Sequence, residues 1–218
     1  MPIVGYILGA LLGYLLGSIP TGYLVAAARG IDIRTVGSGN IGATNVFRYL
    51  GVPAGVFVLL VDAFKGWLAV VVLTQLISSL FHPTAAAQAQ EWLAIIAGLS
   101  AILGHNFTCW LHFKGGKGIA TSAGVLLALV PWALLIILGI WSIVFALTRY
   151  VSLASIGAAA ALPFAAWLTG QSSTLILVVG TMGALAIYKH KANIQRLLKG
   201  TENRLGMKKP PLPPKNPA

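Results

Sequence analysis

Residues 56–73 read VFVLLVDAFKGWLAVVVL, an apolar run of membrane-spanning length that is interrupted by only two charged residues, Asp62 and Lys65. About 20 predominantly apolar residues form a helix long enough to cross a bilayer. The whole chain shares this character: 57% of its 218 residues are hydrophobic and 9% are charged, against about a quarter in soluble domains. The sequence therefore predicts a polytopic membrane protein.

Apolar segments recur along the chain and predict an all-α integral membrane protein folded as one compact helical bundle. They cover approximately 3–28, 52–81, 92–112, 119–148, 151–169 and 172–188. The first, Ile3 to Ala28, lacks the basic stretch of a cleaved signal peptide and is expected to remain as a helix. We predict one transmembrane domain over residues 1–207, followed by a disordered, basic, proline-rich tail over 208–218.

The positions of the basic residues, which give the chain a net charge of +11, predict its topology. Anionic lipid headgroups and cytoplasmic loops account for this charge in a membrane protein, so no nucleic-acid partner is expected. If 119–148 crosses as two short helices that turn near Pro131, every Lys and Arg except Lys65 is cytoplasmic. We therefore predict about seven crossings, with helices four and five short, the N-terminus outside and the C-terminus inside. Five crossings with a re-entrant 119–148 would preserve the same sidedness.

The segment GSGNIG at 37–42 has the G-x-G-x-x-G spacing of a dinucleotide-binding turn, and Asp62 follows twenty residues after Gly42. That fingerprint requires a preceding strand and a βαβ unit, whereas apolar membrane segments lie on both sides here. A dinucleotide site is therefore rejected on its context, and the glycines need another explanation.

Residues 32–48, DIRTVGSGNIGATNVFR, are instead interpreted as an anion-binding loop on the cytoplasmic side. Small residues let backbone N–H groups approach an anion, and Arg48 can form bidentate bonds to phosphate. The polar side chains that add donors are those of Ser38, Asn40, Thr44 and Asn45. A flexible loop that carries a positive-inside arginine is the alternative.

Two further polar stretches strengthen the anion interpretation. Residues 104–124, GHNFTCWLHFKGGKGIATSAG, place a basic glycine-rich turn directly before a helix, and helix N-termini attract anions. Residues 188–206, YKHKANIQRLLKGTENRLG, place His190 and Asn193 on one face of a helix. A short positive-inside turn and a basic juxtamembrane helix on lipid are the respective alternatives. Asp62 and Lys65, at i and i+3 within the membrane, are expected to form a structural ion pair or to support the site.

Taken together, these motifs resemble the bacterial acyl-phosphate:glycerol-3-phosphate acyltransferases, the integral-membrane family often called PlsY. The matching stretches are GSIPTGYLVA at 17–26, GSGNIGATNVFR at 37–48, 104–124, TRYVSLASI at 148–156 and 189–206. The resemblance implies transfer of a fatty acyl group from acyl phosphate to the 1-hydroxyl of glycerol 3-phosphate. It also implies a multi-pass protein of the bacterial inner membrane whose active site faces the cytoplasm, without a metal ion or cofactor. An enzyme that produces acyl phosphate is a candidate partner.

By the same resemblance, Ser38, Arg48, His190 and Asn193 are expected to be catalytic, with Glu202 as a structural support. His190 is the candidate base, and a phosphate oxygen of the substrate is the alternative proton acceptor. The further residues expected to contact substrate are Gly37, Gly39, Asn40, Thr44, Asn45, His105, Asn106, Lys114, Gly115, Gly116, Lys117, Gly118, Arg149 and Ser152. A membrane transporter for a phosphorylated organic anion is the rival function, because basic sites and short helices also suit such a protein.

Overall fold

The computed structural model describes residues 2–81 and 87–206, and within these ranges the regular structure is helical, without a strand. The α-helices are α1 Pro2–Ser18, α2 Thr21–Ala27, α3 Ala43–Leu50, α4 Val52–Leu68, α5 Thr74–Phe81, α6 Ala87–Asn106, α7 Ile119–Leu129, α8 Pro131–Thr148, α9 Val151–Leu168, α10 Ser173–Lys189 and α11 Lys191–Leu198. A π-helical turn, Ala69–Leu73, joins α4 to α5, and a 3₁₀ turn, Cys109–Leu111, follows α6. The all-helical fold is as predicted, while the predicted tail at 208–218 lies outside the described residues.

The first apolar segment is not the single helix that the sequence predicted over 3–28. It is interrupted between Ser18 and Thr21, where Pro20 precedes α2. Proline has no backbone N–H, and its ring clashes with the preceding turn, so it breaks a helix at this position. The break leaves the carbonyl of Ile19 available to a side chain of another helix.

The segment predicted over 119–148 does break at Pro131, but only its first half is short. Helix α7 has 11 residues and spans about 17 Å, whereas α8 has 18 residues and spans about 27 Å. Pro131 occupies the first helical position of α8, where proline is favourable, so it starts this helix without shortening it. The expectation of two short helices is therefore wrong for the second one.

Five of the described helical segments are long and apolar enough to cross a membrane, and a sixth is reached if the bent pair α10 and α11 is one span. The stretch between the predicted apolar segments 52–81 and 92–112, which we expected to be a loop, is helical from Ala87, where α6 begins. Residues 87–91 read AQAQE, and Ala, Gln and Glu are all good helix formers. The count of seven crossings and the sidedness of the termini stay predictions.

The helices that carry the site pack closely because small residues lie where they cross. Helix α4 packs on α7, and a Cβ added to Gly66 would collide with the Thr121 carbonyl. Likewise, a Cβ on Gly124 would collide with the carbonyl of Ala63. Glycine at helix contacts lets membrane helices approach to backbone distance. The first two turns of α7 are thereby held against the C-terminal part of α4.

Two apolar clusters support the polar motifs. The larger one lies among α6 to α10, around Val125, Leu162 and Val179. The smaller one lies beneath the loop that connects α2 to α3, and Ile33 and Val46 are fully buried in it. The polar loops therefore rest on packed apolar surfaces, which fix their positions.

Candidate functional site

The loop between α2 and α3 is held from within by the side chain of Asn45, which is 2% exposed. Its Nδ2 donates to the carbonyls of Ile33, at 3.1 Å, and Val36, at 3.0 Å. Its Oδ1 accepts the backbone N–H of Ser38 at 3.2 Å. The amide group is committed to the loop on both sides, so Asn45 shapes the loop, while its expected contact with substrate stays a prediction.

The glycines of this loop supply backbone conformations that other residues adopt with difficulty. Gly37 has φ of 60° and Gly39 has φ of 67°, both in the left-handed region. They flank Ser38, which is exposed at the tip of the loop. Asn40 accepts the N–H of Gly42 through Oδ1 at 2.9 Å, which is a local turn contact. The loop thus presents Ser38 to the outside on a backbone that is fixed from within.

The glycine turn, residues 113–118, packs against the C-terminal end of α6. The N–H of Gly116 donates to the His105 carbonyl at 3.0 Å, and that of Gly115 to the Asn106 carbonyl at 3.3 Å. A Cβ on Gly115 would collide with the His105 carbonyl. These two amides donate within the chain, and the expectation that Gly115 and Gly116 contact substrate stays a prediction. Their glycines are needed because the turn approaches α6 so closely.

The first turn of α7 lies beside polar groups that are buried without a partner in the described part of the chain. Asn106 and Thr121 are both 0% exposed, and both atoms of the Asn106 amide and the Thr121 hydroxyl lack hydrogen bonds there. Asn106 Oδ1 lies against Gly118, whose φ is 78° at the N-cap of α7. Helix N-termini leave backbone N–H groups free. Polar donors therefore gather at this point of the chain.

Glu202 joins residues from two other parts of the chain, α9 and α11, and its side chain is nearly buried. Its Oε1 accepts from Ser152 Oγ at 2.9 Å and from Asn193 Nδ2 at 2.8 Å, and its Oε2 accepts from Arg196 Nε at 2.7 Å. Burial alone would raise the pKa of Glu202, but these hydrogen bonds hold it below its usual value. Glu202 is thus an ionised organising centre, in line with its expected supporting role. Ser152 and Asn193 are brought to the site through it.

Two cations from different motifs lie close enough to the Glu202 cluster to feel its charges. Burial lowers the pKa of Lys117 to about 8; Arg196 and Arg48 lower it as well, while Glu202 opposes them. Burial also lowers the pKa of Arg48, again opposed by Glu202. Arg48 in addition donates from a terminal nitrogen to the Asn203 carbonyl at 3.2 Å. The C-terminal end of α3, the segment that leads into α7, and α11 therefore converge on one basic centre.

His190 follows α10 and is 2% exposed. Its Nδ1 lies 2.8 Å from the Ala186 carbonyl. A carbonyl only accepts, so Nδ1 carries the proton and Nε2 is the nitrogen left to interact with a ligand. Burial and the charge of Lys117 lower the pKa of His190 to about 4, so the ring is neutral near pH 7.

Other expected site residues form no hydrogen bond to the Glu202 cluster in the described part of the chain. Lys114 and Arg149 are exposed. Arg149 has φ of 62° at the end of α8, and its carbonyl accepts the N–H of Leu205 at 2.9 Å, so its backbone anchors the segment after α11. Thr44 is half-buried on α3. Within residues 2–81 and 87–206, no hydrogen bond joins Ser38, Lys114 or Thr44 to the Glu202 cluster.

Lys189 is a residue that the sequence analysis did not single out. Its Nζ donates to the Asn106 carbonyl at 3.0 Å and lies 4.3 Å from the centre of the Phe107 ring. It therefore ties the end of α10 to the end of α6, and with it the third motif to the second. Its only signal in the sequence is its position beside His190, where it looks like one more basic residue of a juxtamembrane helix.

Beneath the basic centre, an apolar cavity extends between α7, α8, α9 and α10. Its lining includes Ser122, Leu126, Ile137, Trp141, Ser155 and Ala186. Trp141 Nε1 donates to Ser155 Oγ at 3.2 Å, which satisfies the indole N–H within the lining. Ala186 also carries the carbonyl that holds His190. The apolar space and the polar centre are therefore neighbours.

A second ionic cluster is buried between α4, which belongs to the candidate span Val52–Phe81, and the end of α6. Lys65 Nζ lies 2.8 Å from Asp62 Oδ1, and both residues are almost fully buried on α4. Lys65 Nζ also lies 3.0 Å from Nδ1 of His105, at the end of α6. The structural ion pair expected from the sequence is thus present. No group of three or more His, Cys, Asp or Glu side chains in the described part of the chain is arranged to hold a metal ion.

Comparison with known proteins gives a consistent family match. The family model described as glycerol-3-phosphate acyltransferase matches residues 7–200. A relative of that name from Geotalea daltonii is 47% identical over 190 residues, which are 87% of this chain and 92% of the relative. Another, from Endomicrobium trichonymphae, is 45% identical over 200 residues, with 91% and 95% of the two chains covered.

Solved structures agree with this match. The fold is similar to the crystal structure of PlsY (YgiH), an integral membrane glycerol 3-phosphate acyltransferase, in its glycerol 3-phosphate form. The TM-score is 0.81 at 38% identity, with 92% of this chain and 96% of the other covered. The lysophosphatidic acid form of the same protein gives a TM-score of 0.78 at 37% identity, with 92% and 95% covered.

Proposed function

The chain belongs to the family of glycerol-3-phosphate acyltransferases, and we propose that its acyl donor is an acyl phosphate. It is an integral membrane enzyme of phospholipid synthesis that transfers a fatty acyl group to glycerol 3-phosphate. None of these matches supports the anion transporter that the sequence left open. The products of the proposed reaction are lysophosphatidic acid and inorganic phosphate.

One observation carries the assignment of the site: residues from all three polar motifs meet around a single basic centre. Arg48 from the first motif, Lys117 from the second and Arg196 from the third all interact electrostatically with Glu202. Both proposed substrates carry phosphate, and clustered cations that are partly removed from water bind phosphate strongly. An apolar cavity beside these cations suits an acyl donor that is anionic at one end and apolar along its chain.

We assign the phosphate of glycerol 3-phosphate to Lys117 and the N-terminus of α7, with Asn106 and Thr121 as further donors. Lys117 immediately precedes the N-cap of this helix, so its charge and the helix dipole act on the same place. Thr121 belongs to the first turn of the helix, and Asn106 lies against Gly118. Arg48 is left to stabilise the phosphate of the donor and the charge that develops on the carbonyl oxygen.

The proposed reaction is a direct displacement. The 1-hydroxyl oxygen of glycerol 3-phosphate forms an ester bond with the carbonyl carbon of acyl phosphate, and the bond from that carbon to the phosphate oxygen breaks. The phosphate leaves with the electron pair of that bond, so no covalent enzyme intermediate is needed. The enzyme has to align the two substrates and stabilise negative charge. Ser38 is assigned to orient the acyl phosphate from the tip of its loop.

The 1-hydroxyl of glycerol 3-phosphate is assigned to donate a hydrogen bond to His190 first and to give its proton to the leaving phosphate in the end. Nε2 of His190 accepts the bond because Nδ1 is engaged with Ala186. The pKa of His190, about 4, makes its ring a weak base, whereas the second pKa of a phosphate group is about 6. The phosphate therefore holds the proton more firmly than His190 does. His190 thus orients the hydroxyl, and Asn193 and Ser152 support the centre through Glu202.

The acyl chain is assigned to the apolar cavity among α7 to α10. One end of its lining, at Ala186, lies next to His190, and residues such as Leu126 and Ile137 line the cavity. Burial of each methylene contributes about 0.8 kcal/mol, so a fatty chain gains substantially from such a lining. The carbonyl carbon would then lie at the boundary between the apolar cavity and the basic centre.

The chain is an integral membrane protein, and we place it in the bacterial inner membrane with its active site facing the cytoplasm. The positive-inside rule supports this orientation, because Arg48, Lys117 and Arg196 share one end of the bundle. Phosphorylated substrates of the cytoplasm reach the site directly in this orientation. An enzyme that produces acyl phosphate is the expected partner.

The assignment is tested with purified protein in a lipid mesophase or detergent. Phosphate release from acyl phosphate should require glycerol 3-phosphate, and acyl-CoA supplied in parallel should give no product. Acylation with acyl-CoA alone would overturn the proposed donor. No acylation with either donor, by protein shown to be folded, would contradict the proposed function. Uptake of glycerol 3-phosphate into liposomes would then test the transporter.

A further inference from the structure

We propose that the buried Asp62–Lys65 pair fixes the tautomer of His105, so that the Nε2–H of His105 faces the glycine turn and binds glycerol 3-phosphate there. The inference rests on the proposed function, because it assigns a neutral hydrogen-bond donor to the same substrate site. Asp62 and Lys65 are then positioning residues that act through His105, and His105 contacts the substrate itself.

The ammonium of Lys65 is fully engaged by three acceptors. It lies 2.8 Å from Asp62 Oδ1, 2.9 Å from the Ile19 carbonyl and 3.0 Å from His105 Nδ1. A lysine ammonium has three N–H donors and no acceptor. The Ile19 carbonyl is available because Pro20 ends the helical bonding of α1 at this point. Lys65 is therefore held in one position, with one of its protons directed at His105.

This contact determines which nitrogen of His105 carries the proton. Since Lys65 can only donate, Nδ1 of His105 must accept and hold a lone pair. The neutral imidazole then carries its single proton on Nε2. Asp62 does not compete for His105 at short range, because its Oδ1 lies 3.7 Å from Nδ1 and accepts from Lys65 and from Thr21 Oγ1 at 3.0 Å.

The Nε2 side of the ring faces the glycine turn. A Cβ added to Gly116 would collide with His105 Nε2. The N–H of Gly116 also donates to the His105 carbonyl, so the turn and the ring are fixed to each other on both sides. The turn continues into Lys117, the cation that we assign to the phosphate. A directed Nε2–H beside this cation suits a ligand oxygen, which is a hydrogen-bond acceptor.

The inference is tested first with His105→Asn, which leaves an amide oxygen near the position of Nδ1 for Lys65 but removes the Nε2–H. We expect KM for glycerol 3-phosphate to rise about tenfold, as the loss of one hydrogen bond to a charged group predicts, while KM for acyl phosphate stays unchanged. His112→Asn is the matched control, since His112 is exposed and seven residues away in the same segment. It should keep the wild-type constants.

The positioning role has a separate readout in the ¹⁵N NMR spectrum of histidine-labelled protein. The wild-type signal that disappears in His105→Asn should show the proton on Nε2. The paired change Asp62→Leu with Lys65→Met removes both buried charges together, so neither is left uncompensated. It should give a mixture of tautomers and raise KM for glycerol 3-phosphate.

Two results would overturn the inference: an unchanged KM in folded His105→Asn, or a wild-type His105 with its proton on Nδ1. Failure of the proposed function would look different, because the wild-type protein itself would then release no phosphate in response to glycerol 3-phosphate. The tautomer measurement would still decide the positioning role in that case.

Discussion

The loop at 29–42 and the glycine turn at 113–118 have similar compositions, yet they are built in opposite ways. In the loop, the bonds that hold the backbone come from a buried side chain of α3, Asn45, and glycines at positive φ carry Ser38 outward. In the turn, the glycine amides themselves form the bonds, and the missing side chains make room for the end of α6. Glycine-rich sequence near a phosphate site therefore does not by itself mean a cradle of free backbone amides.

The contrast assigns different kinetic roles to the two regions. The loop holds Ser38 and is followed by Arg48, so damage to it should mainly lower kcat. The turn holds Lys117 and contacts His105, so damage to it should mainly raise KM for glycerol 3-phosphate. A variant in either region with the opposite pattern would break this division.

The largest effect is expected for Ser38→Ala. Loss of a group that orients the reacting carbonyl should reduce kcat by about a thousandfold, while KM for glycerol 3-phosphate stays near the wild-type value. The measurement is steady-state phosphate release at varied glycerol 3-phosphate. The melting temperature should match that of the wild type, because the side chain is exposed. A selective rise in KM would move Ser38 to the glycerol-phosphate side of the site.

Asn45→Ala should be the next most damaging change, through the shape of the loop. It removes the hydrogen bonds to Ile33, Val36 and Ser38, each contributing about 1 kcal/mol, so kcat/KM should fall about a hundredfold. Tryptic cleavage at Arg34 should become faster. Thr35→Val is the control, since its hydroxyl bonds only to the nearby Asp32 carbonyl in an exposed turn. Wild-type activity in Asn45→Ala would refute the role of Asn45 in shaping the loop.

Gly116→Ala sharpens the comparison from the other region. The added Cβ would collide with His105 Nε2, so the turn or the ring must shift. We expect KM for glycerol 3-phosphate to rise about tenfold with kcat within a factor of about three. Gly139→Ala in α8 is the control, because nothing lies within 4 Å of its added Cβ. If kcat falls while KM does not change, the turn serves the chemical step instead.

The smallest expected effect is a pH dependence of kcat/KM that arises from Lys117 in the glycine turn. The pKa of Lys117, about 8, means that the cation present at pH 7 is lost as the pH rises through 8. From pH 7 to 8.5 the protonated fraction falls about fourfold, so kcat/KM for glycerol 3-phosphate should fall by a similar factor. Lys117→Arg should flatten this profile, because arginine stays charged. An unchanged profile in that variant would assign the titration elsewhere.

Much of the fold follows from local patterns in the sequence. The apolar runs predict the long helices, and the proline at 131 predicts the break between α7 and α8, because both effects depend on neighbours in the chain. The length of α8 was missed because proline starts a helix as readily as it ends one. A proline at the first position of a helix starts it, whereas a proline just after the last position follows its end. In the structure Pro131 is the first residue of α8, and the residues after it are helical.

The partners within the site are harder to predict. The sequence indicates which motifs are polar and which residues share a helix face, as with His190 and Asn193. It does not indicate that Asn45 turns inward. Nor does it indicate that Lys65 lies between Ile19 and His105, because these two contacts join residues that are 40 or more positions apart in the chain. Such pairs depend on how the helices cross. Glycines at 66 and 124 set one of these crossings, but a single sequence does not identify their neighbours.

The apolar cavity beside the basic centre also affects how the product departs. Lysophosphatidic acid keeps its chain in a hydrocarbon environment if it moves sideways from this cavity into the lipid. Transfer of the same chain into water would cost about 0.8 kcal/mol for every methylene. The product then partitions between the protein and the bilayer. Product inhibition therefore depends on the mole fraction of lysophosphatidic acid in the membrane, not on its concentration in the buffer. Dilution with inert lipid should relieve product inhibition, whereas dilution with buffer should not.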